Sequence, residues 1–109
     1  MTSTRRYVVV GTGHRVQMYL DAMAGAHRAD AELVAMLDPN PGRLTVHAKA
    51  LAAAGLDVDD VVQGTPDRLE QVIADTRADR VVITSPDFTH ADLIVASLDA
   101  GADVVVEKP

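Results

Sequence analysis

Four times along its 109 residues the chain passes from a short apolar run, rich in Val and Ile, into a segment with helical periodicity, and a last such run closes it. The runs are Tyr7–Val10, "AELVAMLD" to Asp38, "DVDDVV" from Asp57 to Val62, "DRVVITS" from Asp79 to Ser85, and "ADVVVEKP" at the end. Strands that alternate with helices of 10–15 residues imply parallel pairing through crossovers. Most of the runs do not alternate apolar with polar residues, as expected when helices cover both faces of a sheet. The fold class this predicts is α/β: a Rossmann-type, doubly wound parallel sheet of about five strands. "DVDDVV" is the weakest run and reads as a short strand near an edge.

Helix signals mark the intervening segments. Val16, Leu20, Met23 and Ala24 fall on one helical face. In "NPGRLTVHAKALAAAGL", Asn40 stands as N-cap, Pro41 as the first helical residue and Gly55 as the left-handed stop. "TPDRLEQVIADTRA" repeats this logic, with Thr65 as cap and Pro66 in the first turn. "THADLIVASLDAG" predicts a helix with Ala91, Ile94, Val95 and Leu98 on its apolar face and Gly101 as stop. Thr89 with Asp92 gives it a start like a capping box.

Composition narrows the classes of function. Apolar residues make up 48% of the chain. That suffices for a single core at this length, where about two-thirds of the unfolded surface can be buried. The chain has no cysteine, which removes disulfides and thiolate metal sites. A net charge of −6 disfavours nucleic acid and anionic membranes as partners. No apolar run approaches the roughly 20 residues of a membrane span. Arg5 and Arg6 lie too close to a glycine turn for a twin-arginine export signal. A cytoplasmic protein is expected. Asp57, Asp59 and Asp60 read as a solvated turn and not as a metal site, and His27 and His47 as surface residues.

The stretch "VVVGTGHRV" carries the most chemistry. Gly11 allows a tight turn after the first strand, and Gly13 lets backbone N–H groups approach a pyrophosphate. The helix N-terminus that follows favours an anion. Thr12, His14 and Arg15 complete the turn. Arg15 is a candidate phosphate contact, or, like His14, an ordinary exposed polar residue. Val16 departs from the fingerprint, because Gly or Ala is expected there for close helix–strand packing. Overpacking of this kind typically costs about 1–3 kcal/mol unless the helix shifts. Asp38 ends the second run, where an acid accepts the hydroxyls of a nucleotide ribose. It is equally placed to form a turn before Pro39. Its charge would repel a 2′-phosphate, so NAD is preferred over NADP, with Arg43 as the one nearby group able to reach back to such a phosphate.

Three later stretches narrow the family. "LDPNPGRL", "TSPDFTH" and the ending "AGADVVVEKP" together resemble the Gfo/Idh/MocA oxidoreductases, the glucose–fructose oxidoreductase and inositol dehydrogenase family. The resemblance spans essentially the whole chain. It implies that Thr84, Ser85 and Pro86 form the loop over the nicotinamide side of the cofactor. It implies that His90 lies near the cofactor or its ribose, and that Glu107 contacts the cofactor side. Lys108 is implied to contact substrate and cofactor and to polarise the reacting oxygen. Both Lys108 and His90 would otherwise read as ordinary exposed residues. A lysine at that place can stabilise developing negative charge during hydride transfer.

Members of the family continue into a second α/β domain that shapes the sugar or polyol pocket and usually forms the oligomer interface. Residues 1–109 are therefore expected to be the dinucleotide-binding domain alone, with the C-terminal domain absent. Alone it would bind NAD without turning over substrate, and "DVVVE" would be left at an open sheet edge. The parent enzyme would transfer hydride between nicotinamide and a secondary alcohol or ketone of a sugar, polyol or related metabolite, as a homo-oligomer only with the second domain. Two other readings stay open on the sequence: a nucleotide-sensing module without catalysis, and a remnant without ligand.

Overall fold

A computed structural model describes residues 5–11, 31–55, 58–84 and 90–106, with the backbone alone at His90 and Val106. Its strands are β1 (Arg5–Val10), β2 (Ala31–Leu37), β3 (Val62–Gly64), β4 (Arg80–Ile83) and β5 (Asp103–Val106). Its helices are α1 (Pro41–Ala53), α2 (Leu69–Thr76, entered through a 3-10 turn over Pro66–Arg68) and α3 (His90–Asp99). The strands form one parallel sheet in the order β3-β2-β1-β4-β5. This is the Rossmann-type arrangement expected, with β1 at the centre and the short β3 at an edge. The predicted helix through Val16, Leu20, Met23 and Ala24 lies outside the described residues.

The valines of β1 explain its central place. Val8, Val9 and Val10 are all fully buried. Successive strand side chains point to opposite faces, so both faces of β1 need a cover. Val8 and Val10 pack with Leu37, Val81 and Ile83 against Leu69, Val72 and Ile73 of α2 and Leu93 of α3. Val9 packs with Met36 and Val82 against Leu44 and Leu51 of α1. Fully burying one such side chain contributes roughly 1.5–3 kcal/mol.

β2 does not run evenly beside β1. Tyr7 pairs with Leu33 but Val8 pairs with Ala35, so Val34 is an extra residue in the ladder. The bulge puts Val34 and Ala35 on the same side of the sheet, in the core under α2 and α3. Beyond it the alternation resumes, with Met36 toward α1 and Leu37 toward the opposite layer.

Helix ends follow the local chemistry. The Asn40 side chain accepts from the Gly42 N–H at 2.9 Å, and Pro41 opens α1. The chain leaves the helices through left-handed residues: Gly55 at φ 94°, Arg77 at φ 54° and Gly101 at φ 90°. Thr65 stands at the start of the 3-10 turn with Pro66 next, but its side chain makes no capping bond there.

Three expectations are corrected. The third strand is Val62–Gly64, so residues 58–61 of the predicted run stand before it, and Asp57 lies outside the described residues. Asp59 and Asp60 form a turn, closed by the Val61 N–H donating to Val58 at 3.1 Å, and pairing begins only after it. Aspartates favour such turns over strand pairing. On α3 the buried pair is Leu93 and Ser97, with Ile94 and Ala96 partly buried, while Val95 and Leu98 are 58% and 57% exposed. Ala91 is exposed as well. Ser97 is small enough to let the helix approach the sheet, and its hydroxyl, which donates to the Leu93 carbonyl at 2.7 Å, is satisfied within the helix. His47 is half-buried on α1, more enclosed than a surface residue.

In urea denaturation, Leu93→Ala is expected to cost about 2–4 kcal/mol and Leu98→Ala about 0.5 kcal/mol or less. A larger loss from Leu98→Ala than from Leu93→Ala would mean that α3 sits on the face that periodicity predicts. Arg77→Gly is expected to raise stability by about 0.5–1 kcal/mol, because its position after α2 favours a residue without Cβ.

Candidate functional site at the carboxyl edge of the sheet

The ladders align one residue from every strand into a row: Gly64, Leu37, Val10, Ile83 and Val106. Among the described residues, the first ones beyond this row are Thr65, Asp38, Gly11 and Thr84. Three of these four are residues that the sequence singled out for ligand contact. Register brings them together from distant parts of the chain, at the edge where open α/β sheets bind ligands.

Gly11 is buried and left-handed, at φ 84°. Its N–H donates to the Leu37 carbonyl at 2.7 Å, one residue before Asp38, so the turn leaves the sheet beside the acid. Asp38 is 2% exposed. Its N–H donates to the Gly64 carbonyl at 3.0 Å, which extends the β2–β3 ladder by one bond. Its Oδ1 accepts from the Asn40 N–H at 2.7 Å. The turn-forming role is thus present in the structure. A carboxylate offers about four acceptor sites on two oxygens, so forming that turn is compatible with accepting a ligand hydroxyl.

Thr84 is half-buried at the end of β4. Its N–H donates to the Val10 carbonyl at 2.9 Å. Its hydroxyl lies 2.5 Å from the Gly11 carbonyl and 3.3 Å from that of Val10. Arg43 is exposed in the first turn of α1, two residues after Pro41. His90 is the first residue of α3. Thr12, Gly13, His14, Arg15, Ser85, Pro86, Glu107 and Lys108 lie outside the described residues.

The register row itself was not readable beforehand. In the sequence Thr65 reads as a helix cap, yet it stands in the same row as Asp38 and Gly11. The Thr84–Gly11 contact also had no sequence signal, because it depends on which strand pairs with β1. A separate open cleft between α2 and α3 is lined by Asp67, Glu70, Asp92, Leu69 and Leu93, among others, and by none of Gly11, Asp38 or Thr84. Its three carboxylates make it a poor seat for an anionic cofactor. Among the described residues, no group of three or more His, Cys, Asp or Glu could hold a metal ion. No helix among them is long and apolar enough to cross a membrane.

A glycine turn beside a buried strand-end acid, on a five-stranded parallel sheet, defines a dinucleotide-binding domain of the Rossmann type. Residues 5–109 match the GFO_IDH_MocA family, described as an oxidoreductase family with an NAD-binding Rossmann fold. The chain belongs to that family. It is similar to inositol 2-dehydrogenase 1 of Saccharopolyspora erythraea, 37% identical over 106 residues that cover 97% of this chain and 29% of that protein. It is also similar to inositol 2-dehydrogenase of Rhizobium meliloti, 36% identical over 107 residues, with coverage of 97% and 28%. Among solved structures it resembles scyllo-inositol dehydrogenase from Lactobacillus casei with bound NAD(H) and scyllo-inositol. There the TM-score is 0.77 at 26% identity, over 98% of this chain and 28% of the other. The chain thus spans less than a third of the length of these curated relatives.

Gly11→Ala is expected to destabilise the fold by about 1–2 kcal/mol, since a Cβ at this positive φ is strained. A shift of the urea midpoint measures it. An unchanged midpoint would mean that the turn adopts another backbone conformation.

Proposed function

We propose that this chain is the cofactor-binding part of an NAD-dependent polyol or sugar dehydrogenase, and that Gly11 and Asp38 hold the adenosine end of NAD. The observation that carries this reading is the register row that sets Asp38 beside the Gly11 turn. Asp38 accepts hydroxyls of the adenosine ribose, and its carboxylate disfavours the 2′-phosphate of NADP. Thr12, Gly13 and the helix start at His14 and Arg15 face the pyrophosphate, with Arg15 as a direct contact. Arg43, exposed on α1, is a peripheral contact.

Bound NAD supplies the hydride acceptor. The residues of the chain bind and orient. Thr84, Ser85 and Pro86 border the nicotinamide side, His90 lies near the cofactor or its ribose, and Glu107 lies on the cofactor side. Lys108 donates a hydrogen bond to the reacting oxygen of the substrate and stabilises the charge that develops there. The named relatives act on inositols, which supports a cyclic polyol or sugar with a secondary alcohol as the substrate class. Catalysis and homo-oligomer formation belong to the longer protein, and the reading places it in the cytoplasm without a nucleic-acid partner.

Calorimetric titration of the folded 109-residue chain with NADH and NADPH tests the reading. Saturable NADH binding, tighter than that of NADPH, is expected. Asp38→Asn keeps an acceptor for the Asn40 N–H but removes the charge. It should weaken NADH by about tenfold, the loss of roughly 1.4 kcal/mol from a charge-assisted hydrogen bond. It should also narrow the preference against NADPH. A folded chain that binds neither nucleotide would refute the assignment.

A further inference from the structure

The Thr84 hydroxyl meets the carbonyl of Gly11, and the direction of that contact is informative. In an extended strand, the N–H and C=O of one residue point to the same side, and those of the next residue to the other side. Val10 follows this rule toward β4, where its carbonyl accepts from the Thr84 N–H at 2.9 Å. Gly11 should therefore face β2, and its N–H does, donating to Leu37 at 2.7 Å. Its carbonyl instead meets the Thr84 hydroxyl on the β4 side, at 2.5 Å. Gly11 has a positive φ of 84°, outside the extended region in which that rule holds.

On the β2 side the next ladder donor would be residue 39, a proline without an N–H, so the Gly11 carbonyl has no ladder partner there. The Thr84 hydroxyl takes that place, with the Val10 carbonyl a longer second contact at 3.3 Å. Because a peptide is planar, fixing its carbonyl fixes the plane in which the chain enters the phosphate-binding turn.

We propose that Thr84 is a positioning residue for the cofactor pyrophosphate, acting through the Gly11 carbonyl. This rests on the cofactor reading above and adds to it a residue just after β4 that sets the geometry of the turn that follows β1. The hydroxyl is the group that matters, since a methyl in its place would leave the carbonyl unpaired.

Two pairs of chains isolate the hydroxyl: wild type against Thr84→Val, and Thr84→Ser against Thr84→Ala. Each is checked for folding by circular dichroism and titrated with NADH, ADP and adenosine. The chains with a hydroxyl should bind NADH within about twofold of each other. The two without it should bind NADH and ADP about tenfold more weakly, as expected for an unpaired buried acceptor. Adenosine, which has no pyrophosphate, should bind all four alike. The Gly11 carbonyl 13C resonance should move in the chains lacking the hydroxyl and stay in place in Thr84→Ser. The Ser/Ala pair decides alone if Thr84→Val fails to fold.

Unchanged NADH affinity without the hydroxyl, in a wild type that binds NADH, would overturn the positioning role while leaving the cofactor site standing. Equal weakening of adenosine would overturn it too, by showing a general structural loss. A folded wild type that binds no NADH would instead refute the cofactor reading itself.

Discussion

The second half of the central strand has no side open to water, and the rest of the molecule is arranged around that fact. β1 is hydrogen-bonded to β2 on one edge and to β4 on the other, and its three valines are covered on both faces. A strand so enclosed must send its chain out through one end. The exit falls between the ends of two neighbours, which is why Gly11 meets a carbonyl from β2 and a hydroxyl from β4. The left-handed glycine is the residue that allows the chain to turn within that narrow space.

Much of this was legible in the sequence, for identifiable reasons. Val-rich runs without alternation announced buried strands, and Asn40, Pro41, Gly55 and Gly101 marked helix ends through local backbone chemistry. Features decided by tertiary packing were not legible. α3 carries apolar residues around most of its surface, so periodicity pointed to Ala91, Ile94, Val95 and Leu98. The small Ser97 beside Leu93 turned the buried face elsewhere. β3 was shifted because a turn by Asp59 and Asp60 outweighed the valines around it.

The candidate site divides in the same way. Gly11 and Asp38 carry type-specific signals, a glycine after a strand and an acid at a strand end. Their adjacency is set by the pairing of Val10 with Leu37, which no local pattern encodes. Asp38 also shows that two readings of one residue need not compete. The bond that its Oδ1 accepts from the Asn40 N–H holds the acid in place at the strand end. A carboxylate restrained in this way loses less rotamer freedom when it meets a ligand. Turn formation and ligand capture then become parts of one arrangement, with Asn40 capping α1 and at the same time steadying the acid.

The extra residue at Val34 gives β2 the equivalent of a reading frame. Everything after it is shifted by one position relative to the even alternation set at Ala31–Leu33. That shift is what turns Leu37 to the α2–α3 side and brings the strand end, with Asp38, into line with Gly11. Losing or gaining a single residue between Val34 and Asp38 would exchange the two faces of the strand end. A short indel there would act as a frameshift in space, setting apolar side chains where the acid now stands. Substitutions in this segment are constrained one at a time by packing, whereas its length is constrained as a whole.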